Sequence, residues 1–210
     1  MLLAFALLLI SYLLGSLSGS LLLGKLRGVD IRLLGSGNAG GSNALRTMGW
    51  KFALLTVLVD VGKGALVAGL AWRLLPAQLQ PGAIYACVLA AAIGHVWPVF
   101  HGFRGGKGAA TVLGGLVIAW PQALLPALAT WLLSMMCSGY IGLSTILAGA
   151  SVLLFAIVMG VDRLQLAFAL GIALLLLATH RGNVARMRAG CEPRSERMRV
   201  LGKMFARKVG

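Results

Sequence analysis

The sequence predicts an all-α integral membrane protein of about seven transmembrane helices, with its amino terminus outside and its carboxyl terminus in the cytoplasm. Three observations lead there. The 210 residues are 59% hydrophobic and only 11% charged, where water-soluble domains carry about 25% charged residues. The apolar residues fall into runs of helix-spanning length, and the mean hydropathy is +0.91. The basic residues collect in the breaks between alternate runs, as orientation in a membrane requires.

A spanning helix needs about 20 apolar residues. The first run, 2–23, has neither a basic leader nor a cleavage motif, so it reads as a span and not as a removable signal. Further spans are expected at 52–73, 82–100, 109–120, 122–138, 144–160 and 164–180. The fourth and fifth are short and meet at Pro121; the alternative is one kinked or re-entrant unit over 109–138. Sidedness separates the two. With seven spans, segments 24–51, 101–108, 139–143 and 181–210 share a face and hold sixteen of the nineteen basic residues, leaving Arg73 and Arg163 opposite and Lys63 inside a span. One span over 109–138 would split that charge. No internal repeat is visible, so residues 1–210 read as one polytopic domain with a basic cytoplasmic tail from about 181, which from Arg188 onward reads as a solvated basic segment near anionic headgroups.

The net charge of +14 raises the question of nucleic acid. The basic residues lie in short inter-helical segments with no aromatic platform or recognition helix among them, which excludes that class. Three cysteines make no disulfide framework, and no Cys/His spacing suits a metal.

Three polar segments carry the chemistry. The first, Gly35 to Arg46, contains a Gly-x-Gly-x-x-Gly string but follows a membrane helix, so it is no dinucleotide fingerprint. The second ends Gly105-Gly106-Lys107-Gly108 and lacks the first glycine and the Ser or Thr of a nucleotide P-loop. What both retain is the makings of a phosphate cradle. Gly105, Gly106 and Gly108 lead into a helix N-terminus, with its unpaired N–H groups and partial positive charge, and Lys107 adds a full one. Ser36, Gly37, Asn38, Asn43 and Arg46 offer further donors, with Arg104 close by in sequence. The third segment spaces His180, Asn183 and Arg186 along one helix face. His95 and His101 read as structural hydrogen bonders. Asp60 and Lys63, inside the second span, read as a mutually paired couple, because an unpaired charge there is costly.

Taken in order, these segments resemble the bacterial PlsY-type glycerol-3-phosphate acyltransferases. Gly-Ser-Gly-Asn-x-Gly-x-Ser-Asn-x-x-Arg-x-x-Gly runs from Gly35 to Gly49. Gly-His-x-x-Pro-x-Phe and Phe-Arg-Gly-Gly-Lys-Gly-x-Ala-Thr run from Gly94 to Thr111. Asp60-x-x-Lys63-Gly64, His180-x-x-Asn183-x-x-Arg186 and Gly190-x-Glu192 complete the pattern. One departure stands out. The family usually has Ser-Leu-x-Ser after a tyrosine near the sixth span, and here Gly142 replaces the first serine, with Ser144 and Thr145 as the hydroxyls that remain.

The resemblance implies transfer of an acyl group from acyl phosphate to the sn-1 hydroxyl of glycerol 3-phosphate. The products are 1-acyl-glycerol 3-phosphate and phosphate, in the first acylation step of bacterial phospholipid synthesis. It implies no cofactor and no metal, lipid as surroundings, and the cytoplasmic enzyme that makes acyl phosphate as a partner. The expected place is the plasma (inner) membrane, with the active site at the cytoplasmic face. Lys107, His180 and Asn183 are the expected catalytic residues. The chain lacks the His-x-x-x-x-Asp pair of other acyltransferases, and no carboxylate stands near the motifs, so a substrate phosphate oxygen is expected to take the hydroxyl proton. The rival class, an organic-phosphate transporter, would need polar groups continuing toward the outer face and a repeat with broken helices; that face is nearly bare.

Overall fold

A computed structural model describes residues 2–209, with no strand among them, in two compact units, Met1–Pro121 and Gln122–Gly210. Unit one contains α1 (Leu2–Gly15), α2 (Gly19–Leu26), α3 (Gly41–Met48), α4 (Trp50–Leu74), α5 (Gln80–Val96) and α6 (Ala109–Ala119). Unit two contains α7 (Leu124–Ser138), α8 (Ile141–Met159), α9 (Arg163–Thr179), α10 (Arg181–Arg188) and α11 (Val200–Val209).

In unit one, α4 packs mainly on α6, and α1 on α5. Small residues set both seams. A Cβ at Gly64 would strike the Thr111 carbonyl, and one at Gly114 the Val61 carbonyl; Gly15 meets Ala91 and Gly94 meets Tyr12 in the same way. Between helices with no hydrophobic drive to associate, such close approach is what supplies dispersion contact. Leucines and valines such as Leu54, Leu58, Leu66, Leu154 and Val158 face outward, which suits lipid as the solvent.

Among the described residues, three helical segments are long and apolar enough to cross a membrane: Trp50–Leu74, Gln80–His101 and Ile141–Met159. Two bent pairs raise the total to five if each is one span. The expected run 2–23 is one of these pairs, α1 and α2, which meet at 48°. The run 164–180 is the other: α9 continues past its expected end into α10, again at 48°. At 1.5 Å per residue, α4 reaches about 37 Å and α6 only about 16 Å, so α6 alone is about half a bilayer core. Region 109–138 is two helices, broken by a 3-10 turn at Pro121–Ala123.

The tail beyond Arg188, read as a solvated basic segment, is instead docked on its own unit. The Ser195 N–H donates to the Gly139 carbonyl at 2.9 Å, Arg194 Nε to the Ser138 carbonyl at 2.9 Å, and the Arg194 guanidinium stacks 4.7 Å over Tyr140. Gly202 then lies against the Cys137 carbonyl. Two turns are also fixed: Gln80 clamps the α4–α5 turn by donating to the Trp72 and Leu75 carbonyls, and Asp162 caps α9 by accepting from Leu164 and Gln165 N–H.

Candidate active site

The first loop folds around one asparagine. Asn43 is fully buried; its amide donates to the carbonyls of Ile31 and Leu34 at 3.1 and 2.9 Å, and its oxygen accepts from Ser36 N–H at 2.9 Å and Ser36 Oγ at 3.2 Å. Asn43 therefore shapes the loop, its hydrogen-bonding capacity spent within it. Gly35 has to be glycine: its φ is +56°, and a Cβ there would sit 2.5 Å from Asn43 Oδ1. This geometry turns Ser36 outward, where its Oγ accepts from Arg46 Nη2 at 3.3 Å. Ser36, Gly37 and Arg46 are exposed, and the Asn38 amide lies over Gly40.

The second loop differs from the expected cradle. The N–H of Gly105 donates to the Val96 carbonyl and that of Gly106 to the His95 carbonyl, both at 3.1 Å. These two donors finish α5 and are not presented to an anion. The groups left for such a cradle lie one step on, at half-buried Lys107 and at Gly108, which caps α6 in the left-handed region at φ +84°. The first turn of α6 then supplies the N–H groups that have no acceptor within the helix.

The two loops interlock. Gly106 lies where a Cβ would strike both His95 Nε2 and the Ala39 carbonyl, the latter from the first loop. Arg32 adds a second tie: its Nη1 donates to the His101 carbonyl at 2.8 Å and the Arg104 carbonyl at 3.1 Å, while Asp30 grips its other side at 2.8 Å. The guanidinium holds the Asp30 carboxyl below its usual range. Together with Lys25, Gly28 and His101, Arg32 also lines a cavity of about 310 Å³. Sequence reasoning used Arg32 only as topological charge; nothing in its neighbourhood marks a role that depends on a loop 70 residues away.

Beneath the loops, Asp60 and Lys63 pair at 3.0 Å as expected. The pair has more partners than its spacing disclosed. His95 Nδ1 lies 2.9 Å from Lys63 Nζ and 3.3 Å from Asp60 Oδ1. Lys63 donates to the carbonyls of Gly15 and Leu17, and Asp60 accepts from Gly19 N–H. These are backbone groups released by the α1–α2 break. An uncompensated charge at a helix centre costs about 2.5–3.5 kcal/mol on insertion scales, and here each finds a broken-helix partner.

In unit two, His180 and Asn183 are both buried at the α9–α10 bend. His180 Nδ1 is 2.8 Å from the Leu176 carbonyl. A carbonyl only accepts, so Nδ1 carries a proton, which in the neutral ring leaves the lone pair on Nε2. The expectation that no carboxylate stands near the motifs is wrong: Glu192 accepts from the Asn183 amide and from Arg186 Nε, the latter at 2.7 Å. Arg186 is thereby assigned to Glu192. Gly142 packs against Asn183, where any Cβ would lie 2.7 Å from both Cβ and Cγ of that residue. Neighbouring Ser144 and Thr145 spend their hydroxyl protons within α8, donating to the Tyr140 and Ile141 carbonyls at 2.9 Å.

Glycine-rich loops with a cation at a helix N-terminus, on an apolar body that is all-helical among the described residues, define the class as an integral membrane protein with the makings of an anion site. The model of the family "Glycerol-3-phosphate acyltransferase" matches residues 5–190. A glycerol-3-phosphate acyltransferase of Desulfotalea psychrophila is 38% identical over 186 residues, covering 88% of this chain and 94% of that protein. One of Paramagnetospirillum magneticum is 42% identical, covering 87% and 89%. The crystal structure of PlsY (YgiH), an integral membrane glycerol 3-phosphate acyltransferase, in its glycerol 3-phosphate form superposes with a TM-score of 0.86 at 36% identity, over 94% of this chain and 98% of that one; its lysophosphatidic acid form gives 0.84 at 35%. The chain belongs to this PlsY-type glycerol-3-phosphate acyltransferase family, and is an acyltransferase of phospholipid biosynthesis.

Proposed function

We propose that this enzyme transfers an acyl group from acyl phosphate to the sn-1 hydroxyl of glycerol 3-phosphate, releasing phosphate. The observation that carries the reading is the interlock of two basic, glycine-rich loops at Ala39 and Gly106, which commits Ser36, Arg46 and Lys107 to one unit of the fold. Both proposed substrates carry a phosphate, and a solved relative is a glycerol 3-phosphate form.

Arg46, steadied on Ser36 Oγ, grips a phosphate through two oxygens. Lys107 and the N-terminus of α6 stabilise negative charge as it develops on the carbonyl oxygen and the departing phosphate. Asn183, oriented by Glu192, and His180, its lone pair on Nε2, position the attacking hydroxyl. The hydroxyl oxygen bonds to the acyl carbon, the acyl C–O bond to phosphate breaks, and a substrate phosphate oxygen takes the proton. Acyl phosphate is already activated, so positioning supplies most of the acceleration.

The same reading has seven spans, with α6 and α7 completing the set, the amino terminus outside and the loops open to the cytoplasm of a bacterial inner membrane. The soluble enzyme that makes acyl phosphate would then deliver its product to that face. Both units act as one domain, a reading supported by a family match that runs through each. The test is donor choice: purified enzyme with glycerol 3-phosphate should form 1-acyl product from acyl phosphate and none from acyl thioesters. Equal use of a thioester would refute the donor.

A further inference from the structure

We propose that His95 is a positioning residue for Lys107, a rigid link that carries the order of the buried Asp60–Lys63 pair to the Gly106–Lys107 loop. The inference rests on the reading of Lys107 given above and goes beyond it.

The two ring nitrogens of the imidazole meet different things. Nδ1 is held by Lys63 Nζ at 2.9 Å and Asp60 Oδ1 at 3.3 Å, both buried. That pair is itself pinned to the backbone of the α1–α2 break at Gly15, Leu17 and Gly19. Nε2, at the far end of the ring, lies against Gly106, and the Ala39 carbonyl closes the same spot from the first loop. The residue's own carbonyl accepts the Gly106 N–H at 3.1 Å. His95 is only 3% exposed, so the ring is enclosed among these contacts. Three elements that share no sequence neighbourhood therefore fix one ring, and the ring fixes the residue before Lys107. A loop tied only by its two backbone bonds could still tilt. With the ring against it, the lysine leaves Gly106 in one direction.

Two replacements divide the ring. Asparagine places an amide where Nδ1 stands and keeps a partner for the ion pair, but stops short of Gly106. Glutamine reaches the Nε2 position. Small misplacements of a charge-stabilising group cost on the order of 10²-fold in rate. His95→Asn is expected to lose at least about 10-fold in kcat, with KM for glycerol 3-phosphate within about 3-fold, whereas His95→Gln stays within about 3-fold of wild type in both. Full turnover in His95→Asn, or equal losses in both variants, would overturn the proposal and leave His95 as a partner of the ion pair alone. Should neither variant fold, Gly106→Ala presses on the same joint with His95 intact. It is expected to lose kcat at unchanged KM, and wild-type turnover there overturns the link. Lack of product from wild-type enzyme would fail the underlying reading, and this inference with it.

Discussion

Polar side chains of the loops divide between those spent on the fold, such as Asn43, and those presented outward, such as Arg46, and the division fixes what a substitution should do. Lys107→Ala removes a cation beside a helix N-terminus; losing one such stabilising group costs about 10²–10³-fold in kcat, and purified protein should keep its helical signal. Activity within a few-fold of wild type would reduce the lysine to a topology marker. Arg46→Lys exchanges a two-point grip for a point contact, so KM for a phosphate substrate should rise about 10-fold while kcat changes less; unchanged saturation curves for both substrates would remove Arg46 from binding. Gly142→Ser restores the residue usual in the family, yet its Cβ would sit 2.7 Å from Asn183. Turnover is expected to fall several-fold as Asn183 shifts from Glu192, and a gain in activity would contradict that packing. At this scale the sequence disclosed residue types well and their allegiance poorly. Arg46 and Lys107 were visible as cations beside glycine. Asn43 looked like the same kind of donor, and only the fold shows it turned inward to Ile31 and Leu34. Glu192 could not be placed because the chain turns back after α10, at Gly190 with φ +71°, to bring it to Asn183 and Arg186.

The helices were legible from their apolar runs because hydropathy reports burial in lipid directly. Their breaks were not. The α1–α2 break carries no proline; it is held open by Lys63 and Asp60, charges some 40 residues later that capture its loose carbonyls and N–H. The α4–α6 seam makes the complementary point, since its closeness depends on glycines that read in sequence as mere punctuation. Gly64→Leu would drive a side chain into the Thr111 carbonyl and push away the helix that Lys107 precedes. Overpacking of this kind costs about 1–3 kcal/mol. The variant should unfold at lower temperature and lose turnover together, and a wild-type melting profile would show that the seam can spread without cost.

The charge asymmetry of the whole chain sets its proposed orientation, sixteen basic residues against two. With Cys87, Cys137 and Cys191 replaced, cysteines at Leu33 or Gly182 should react with an impermeant thiol reagent from the cytoplasmic side alone, and one at Gln78 from outside alone. All three positions are exposed, and they avoid the clamp at Gln80 and the cap at Asp162. Labelling of Leu33 and Gly182 from opposite sides would break the topology on which delivery of two cytoplasmic substrates depends. The chemistry itself is tested most directly by following phosphate release from acyl phosphate by the purified enzyme, with and without glycerol 3-phosphate. The account predicts release that requires glycerol 3-phosphate and matches the 1-acyl product mole for mole. Equal release without the acceptor, or acylated product without phosphate, would contradict it.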